Sequence, residues 1–379
     1  MAAVRSSVSS TLVALAKHTG PTPRLTFAFS CQRNSKLNSP GFSKALLCSS
    51  GKALFLHLAM ATAGAASQAA PLDELRSLSQ LRNVDLAKLK NGEIISVRGP
   101  VGDFPRGIHL ECCYFIGAPM NVVGHALLHW DPLPHKDLKV RRYREYSLPP
   151  GPNAFQMMQL DPTVADDRWL LEETAKVSQG SAVSGLHLTT EEAALLRQKS
   201  MGPSEAWREI LRRRSEALAR GGLNAIAPYG TDKSISPGSE FRGLLTLAPK
   251  AARHFRPITG AQPMVSAGEP ASETVGFWEA FKARDHNILQ LGLFAGHKES
   301  DSWQLINCVY YPSDTYFMAL DLFQLWPVDG GTLVWQVGFV SAPFRAYLGG
   351  LDRFIAGKLM MEATLDTIIA FRSDIEKGR

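Results

Sequence analysis

The C-terminal part of the chain, from Ser302 onward, changes its hydrophobic period from that of strands to that of a helix. Residues 303–311, 315–326 and 332–340 are rich in β-branched and aromatic residues, and turn sequences separate them. The second turn contains Asp329-Gly330-Gly331, and Asp-Gly and Gly-Gly supply the positive φ values that tight hairpin turns need. The pattern predicts three consecutive antiparallel strands.

The third of these strands shows the clearest alternation. One face carries Leu333, Trp335, Val337 and Phe339, and the other carries Thr332, Val334, Gln336, Gly338 and Val340. Period-two alternation is typical of a strand that buries one face. We therefore expect the face that contains Trp335 to be the inner one.

A helical period follows, from Phe344 to about Lys377, with Ser341 as the expected N-cap. The predicted apolar stripe consists of Tyr347, Leu351, Phe354, Met361, Leu365 and Ile368. This stripe needs a partner, and the Trp335 face is the nearest one. The prediction is an α+β fold in which an antiparallel sheet packs on a long C-terminal α-helix.

The rest of the chain divides into a leader and one domain. Residues 1–70 are interpreted as a targeting leader, and residues 71–379 as a single α+β domain with a helical insert at about 161–220. Further strands are expected at residues 93–98, 107–116, 138–148, 155–160, 240–247, 275–281 and 287–294, and short helices within 72–89 and at 119–130.

The order of these elements resembles that of helix-grip proteins, the START-related and Bet v 1-like families. A strand at 108–116, a short helix at 119–130, several middle strands and a long C-terminal helix carry the resemblance. It covers residues 93 to 377, apart from the helical insert. The resemblance implies a curved antiparallel sheet that wraps the helix around an apolar cavity, and binding of lipids, sterols or other apolar ligands.

The expected ligand site lies between the sheet and the C-terminal helix. Its residues are Met318, Leu322, Trp335, Phe339, Phe354 and Met361. They predict a partner that is an apolar small molecule or a lipid, with no cofactor. The alternative is an ordinarily filled core, which uses the same residue types.

The positive net charge of +6 lies in the leader. The first acidic residue is Asp73, and seven Lys and Arg residues precede it, which leaves 34 basic against 35 acidic residues in the remainder. A neutral body argues against nucleic acid as a partner. Peripheral contact with a membrane stays open, as does the oligomeric state.

The leader has the parts of an export signal. Lys52 precedes an apolar run at residues 53–66, and Ser67-Gln68-Ala69 fits a small-x-small cleavage site. The prediction is an exported protein, periplasmic or secreted. A Ser-rich, basic segment without acidic residues stands before this signal, which favours either an organelle transit peptide and a luminal location or a start codon assigned too far upstream. An N-terminal membrane anchor is a further alternative.

Two histidines and an aspartate form the candidate metal site. His125 and His129 are four residues apart on the predicted helix, so both share one helix face, and Asp131 follows closely. The alternative is amphipathic spacing without a metal. His109 and Glu111 share one face of a predicted strand as a candidate acid–base pair.

Other features narrow the range of functions. Arg141, Arg142 and Arg144 form a basic strand that suits an anionic headgroup or a solvated surface. Cys112, Cys113 and Cys308 are expected to be buried free thiols, with a Cys308 bridge as the alternative. Phosphate-loop, dinucleotide and nucleophile-elbow motifs are absent from the sequence. The function expected first is ligand binding without catalysis, and the alternatives are a metal-dependent enzyme and an envelope interaction protein.

Overall fold

The computed structural model describes residues 71–181, 185–198, 200–230, 234–260, 272–283, 286–344 and 350–378. The predicted leader, residues 1–70, lies outside the described residues, and so does Tyr347 of the predicted helical stripe. The described residues form an α+β fold with one eight-stranded antiparallel sheet and a long C-terminal helix. This confirms the predicted fold class.

The strands follow a simple order in the sheet. They are Ile95–Arg98 (β1), Gly107–Ile116 (β2), Val140–Tyr146 (β3), Ser272–Ala283 (β4), His286–Lys298 (β5), Trp303–Pro312 (β6), Met318–Val328 (β7) and Gly331–Ser341 (β8). The order across the sheet is β1-β2-β8-β7-β6-β5-β4-β3, and every neighbouring pair is antiparallel. Strands β3 to β8 are therefore a meander, and β2 closes onto its last strand.

Helices occupy the connections and the C-terminus. They are Leu86–Lys90 (α1), Met120–His129 (α2), Ala165–Ser178 (α3), Thr190–Leu196 (α4), Pro203–Gly221 (α5), Pro237–Leu245 (α6), Pro249–His254 (α7), Arg256–Thr259 (α8) and Leu351–Glu376 (α9), with 3-10 turns at Lys136–Leu138 and Gly222–Ala225. A helical segment at residues 71–78 precedes α1. The connection from β3 to β4 contains α3 to α8.

The sheet is covered on both faces. One face packs with α2 and α9 in a hydrophobic core that includes Val340, Leu127 and Phe371. The other face packs with the N-terminal helical segment and the helices between β3 and β4, through residues such as Leu320 and Trp207. Strands buried on both faces read as nearly continuous apolar runs. β8 is also buried on both faces, so the alternation in its sequence does not mark a solvent-exposed side.

Helix α9 begins later than predicted and buries a different stripe. Gly350, at φ +85°, precedes its first residue, whereas Ser341 ends β8 and donates a hydrogen bond to Glu240 instead of capping a helix. The buried residues are Ala356, Gly357, Met360, Thr364, Thr367, Ile368, Phe371, Asp374 and Ile375. Burial of a side chain such as Phe371 contributes about 1.5–3 kcal/mol. Small and polar residues on the buried stripe hid it from a purely apolar pattern.

The face of β8 that contains Trp335 does not meet α9. Trp335 lies in the core with the inserted helices, where its Nε1 donates to Glu111 Oε2 at 3.1 Å and its ring lies 5.5 Å from that of Phe255. Val334 and Val340 face α9 instead. The prediction that the Trp335 face meets the C-terminal helix was wrong. Both faces of β8 are covered by helices, and the alternation does not indicate which helices cover which face.

Two predicted strands are not strands. Residues 240–247 lie mostly in α6, where Pro237 occupies the first turn and Phe241 and Leu244 are buried at helical spacing. Residues 155–157 belong to a turn, and residues 158–160 have no regular secondary structure. In contrast, the Thr189 cap of α4 is confirmed, since Thr189 and Glu192 form a reciprocal capping box.

Buried polar contacts fix the inserted helices to the sheet. Asp167 of α3 is fully buried and accepts hydrogen bonds from Arg142 Nη2 at 2.6 Å and from Asn287 Nδ2 at 2.8 Å. Arg214 of α5 pairs with Glu192 at 2.5 Å and stacks over Tyr311 at 3.9 Å. No helix among the described residues is long and apolar enough to cross a membrane.

Candidate functional site

A row of polar side chains crosses the face of the sheet that α9 covers. It consists of Asn307 on β6, Asp321 on β7, Gln336 on β8 and Cys112 and Tyr114 on β2. Asn307 pairs with Asp321 in register, and Gln336 pairs with Cys112. We call these five residues the polar row. Alternation along each strand brings them to one face, and the register of the meander aligns them.

The polar row is excluded from solvent but only partly hydrogen-bonded. Each of its residues has a relative exposure of 1% or less. Gln336 Nε2 donates to Asp321 Oδ1 at 3.0 Å. Both side-chain polar atoms of Asn307, the Oε1 of Gln336 and the hydroxyl of Tyr114 have no hydrogen-bond partner among the described residues. Buried polar groups without partners are rare in folded proteins.

Helix α9 lies over this row. A Cβ atom at Gly338, next to the row on β8, would lie 3.1 Å from the Cε of Met360 and 3.0 Å from Asp321 Oδ1. The absence of a side chain at Gly338 therefore permits the close approach of α9. Near the end of the helix, Arg372 Nη1 donates to Gly92 O at 2.8 Å, whereas Nε and Nη2 are buried without a partner among the described residues.

Burial keeps Tyr114 and Cys112 of the row in their neutral forms. Burial raises the pKa of Tyr114 well above its ordinary value, Cys112 and Asp321 nearby act in the same direction, and Arg372 opposes them. Burial also raises the pKa of the Cys112 thiol, with Cys113 and Asp321 adding to the effect. Cys112, Cys113 and Cys308 are buried free thiols, as predicted. The row is therefore a set of hydrogen-bonding groups with little nucleophilic character.

The six residues expected to line the ligand site do not come together. Met318, Leu322, Trp335 and Phe339 belong to the core beneath the inserted helices. Met361 lies on α9 and packs against the opposite core. Phe354 is 54% exposed, and the guanidinium of Arg98 stacks on its ring at 4.1 Å.

The polar row was not recognised in the sequence, although it leaves a signal there. Asn307, Asp321 and Gln336 each interrupt an apolar β-rich run with apolar residues on both sides. In strands buried on both faces, such interruptions are the positions that need a partner or a ligand. Their mutual proximity depends on strand register, which a single strand does not reveal.

A second group of chemically active side chains lies at the edge of the sheet. Ligand atoms of His125, His129 and Glu273 lie within 4.8 Å of one another, and we call these residues the His–Glu cluster. His129 Nε2 lies 2.7 Å from Glu273 Oε1, and its Nδ1 lies 3.0 Å from Glu145 Oε2. The structure thus brings the predicted histidine pair to a glutamate from β4.

Asp131 is not part of this group. Its Oδ1 accepts a hydrogen bond from the backbone N–H of Leu133 at 3.0 Å, which stabilises the turn after α2. His135 lies 2.6 Å from Asp374 of α9 through its Nε2. The carboxylate beside the two histidines is therefore that of Glu273 and not that of Asp131. Glu273 is distant in sequence, so a local motif could not indicate it.

The predicted basic strand borders a surface cleft beside the His–Glu cluster. The cleft has a volume of about 590 Å³, and its lining includes His129, Glu145, Asp131 and the three arginines of β3. Arg142 is neutralised by Asp167, and Arg141 lies 3.5 Å from Asp166. Arg144 has no carboxylate partner among the described residues. Two arginines of β3 thus pair with carboxylates of α3, and the same strand also lines the cleft.

His109 and Glu111 share a face of β2, as expected, but both are buried. His109 is 3% exposed, and burial lowers its pKa to about 4. Burial raises the pKa of Glu111, although hydrogen bonds from Gln80 and Trp335 act in the opposite direction. Both residues lie beneath the N-terminal segment and face away from the polar row.

The chain matches no protein-family model, and searches of curated protein sequences and of solved structures find no match.

Proposed function

We propose that this protein binds a small molecule between α9 and the sheet, in the manner of helix-grip proteins, and that the polar row contacts the polar groups of that molecule. The main support for this proposal is the side-chain amide of Asn307, which has no hydrogen-bond partner in the described part of the chain. It is 1% exposed, lies in the middle of a buried face, and offers both a donor and an acceptor.

The topology supports this proposal. Strands β3 to β8 form a meander, β2 pairs with β8, and α2 lies in the connection from β2 to β3. Helices α2 and α9 cover the same face of the sheet. This is the order of elements that characterises the helix-grip arrangement, with β1 and the inserted helices as additions.

Energetics support a polar contact with the ligand. A buried donor or acceptor without a partner costs about 1–3 kcal/mol. Asn307, Gln336 and Tyr114 together leave several such atoms unpaired among the described residues. A ligand that supplies complementary donors and acceptors recovers this cost on binding, whereas an ordinary core would carry apolar residues at these positions.

The polar row refines the expected ligand class. A purely apolar lipid tail would leave the amide of Asn307 unsatisfied. An amphipathic molecule, with an apolar body against residues such as Phe323 and Met360 and with polar groups near the row, fits both parts of the core.

Native mass spectrometry of the chain purified from its own host tests the proposal. We expect a co-purifying mass of a few hundred daltons that disappears on denaturation. Asn307→Leu should remove that mass, because it deletes the donor and the acceptor and keeps the branched shape of the side chain. Trp335→Phe is the matched control on the other face and should retain it.

A bare polypeptide mass for the unsubstituted chain would refute ligand binding at this site. Equal retention of the ligand by both variants would refute the role of the polar row. The expected export of the chain stays a prediction, since residues 1–70 lie outside the described residues. Cleavage of the leader would be visible in the same spectrum.

A further inference from the structure

The His–Glu cluster is built from two separate elements, α2 and β4, that the fold brings together. His125 and His129 are one turn apart on α2, with ring centroids 6.1 Å apart, and Glu273 lies at the start of β4. Trp303 of β6 packs edge-on against His125 at 6.0 Å. A Cβ at Gly124 would lie 2.1 Å from the ring of Trp303, so a glycine is needed to seat α2 this closely on the sheet.

A carboxylate orients the central histidine. Glu145 Oε2 lies 3.0 Å from His129 Nδ1, and the hydroxyl of Tyr143 donates to the other oxygen of Glu145 at 3.0 Å. Glu145 therefore favours the tautomer with the proton on Nδ1, which leaves the lone pair of Nε2 directed at Glu273. A carboxylate that accepts from one nitrogen of a histidine is the usual support for a metal ligand at the other nitrogen.

From this geometry we infer that His125, His129 and Glu273 bind a divalent transition metal of the zinc type, with Glu145 as the positioning residue for His129. Two imidazoles and one carboxylate are a donor set that suits Zn²⁺. The inference concerns an exposed edge of the sheet and is independent of ligand binding at the polar row.

The distances are compatible with this ion. A tetrahedral zinc with bonds of about 2.0–2.1 Å holds its ligand atoms about 3.3–3.4 Å apart. The three ligand atoms already lie within 4.8 Å of one another. His129 Nε2 and Glu273 Oε1, now 2.7 Å apart, would separate slightly, and their hydrogen bond would be replaced by two bonds to the metal.

A proton competes with the metal for His129. His129 contacts Glu273 through Nε2, the nitrogen that a metal would occupy, and contacts Glu145 through Nδ1. Metal binding must release this proton, so the affinity is expected to fall as the pH falls.

Calorimetric titration of the metal-free full chain with Zn²⁺ tests the inference. We expect one saturable site per chain, with weaker binding at pH 6 than at pH 7.5. His125→Ala and Glu273→Gln should each lower the affinity by at least about tenfold, since loss of even an outer-shell partner costs about 10–100-fold. Glu145→Gln should weaken binding and also shift its pH dependence, which a purely structural effect would not do.

Asp131→Asn is the matched control. Asp131 lies close in sequence to the histidines but binds the backbone of Leu133, and asparagine retains that acceptor. Its zinc affinity should equal that of the unsubstituted chain. The inference fails if no saturable site is found, or if Asp131→Asn and Glu273→Gln change the affinity equally while thermal unfolding shows that both are folded.

Discussion

Gln336 on β8 donates a hydrogen bond from Nε2 to Oδ1 of Asp321 on β7 at 3.0 Å, and neither side chain reaches solvent. The two residues stand beside Asn307 beneath the C-terminal helix, where the other positions on the face are mostly apolar. Replacement of Gln336 alone is expected to lower the free energy of unfolding more than replacement of both residues. The single change leaves the buried carboxylate of Asp321 with one hydrogen-bond donor fewer.

Gln336→Leu should therefore lower the free energy of unfolding by about 1.5–3 kcal/mol, the value of a hydrogen bond to a charged group. Urea denaturation measures this change. A double-mutant cycle with Asp321→Leu should give a coupling energy of about 0.5–3 kcal/mol. Additive effects of the two substitutions would contradict the interaction.

Asn307→Leu should have the opposite effect on the ligand-free protein. The substitution removes a buried amide without partners among the described residues, so we expect the free energy of unfolding to rise by about 1–3 kcal/mol. Asn287→Leu is the control on the adjacent strand. Asn287 Nδ2 donates to Asp167 Oδ1 at 2.8 Å, and its loss should destabilise the protein. Urea denaturation measures the free energy of unfolding of both variants. A lower value for Asn307→Leu would show that the amide of Asn307 does form stabilising hydrogen bonds in the folded protein.

Asp167→Ala should loosen the inserted helices. The pair of Asp167 with Arg142 lies at 2.6 Å, and Asp161 N and Asn287 also donate to the carboxylate. Loss of a buried partner costs about 3–5 kcal/mol, and the partial exposure of Arg142 reduces the expected loss to about 2–3 kcal/mol. Hydrogen exchange should show faster opening of α3 before the sheet.

Asp166→Ala is the control for that change. Asp166 contacts Arg141 and Lys282 and is more exposed than its neighbour. Its loss should cost less than about 1 kcal/mol, as is usual for pairs near the surface. Equal effects of the two substitutions would show that Asp167 does not anchor the insert.

His109 should make stability depend on pH in the acid range. Burial lowers its pKa from 6.5 to about 4 in the folded chain, so between these values the unfolded chain binds a proton that the folded chain does not. The free energy of unfolding is therefore highest above pH 6.5, where His109 is neutral in both states. It falls by about 3 kcal/mol as the pH approaches 4. His109→Gln should flatten this part of the curve of unfolding free energy against pH. Curves of equal slope for both proteins would refute the role of His109.

The elements themselves were largely predictable from local patterns. Sequence patterns identified strands near all eight strands of the sheet, including the polar β3, and the Thr189-x-x-Glu192 spacing identified the start of α4. These features depend on residues close in sequence, and local sterics and capping decide them. The errors at residues 155–160 and 240–247 arose where short apolar runs fit both a strand and a helix or turn.

The candidate sites were less predictable because they are assembled from distant residues. His125 and His129 were found as an i, i+4 pair, but Glu273 joins them only through the position of β4. The polar row likewise requires the register of β2, β6, β7 and β8. A one-residue change in register would move each of its side chains to the other face.

The sequence by itself determined the α+β class, the meander of C-terminal strands, the long last helix and the histidine pair, because each follows from periodicity within one segment. Tertiary structure alone decided which face of β8 meets α9. Trp335 and Gln336 are adjacent and equally buried, yet they face different helical layers. Hydrophobic burial is non-directional, so a strand covered on both sides is assigned its inner and outer neighbours only by the packing of the whole chain.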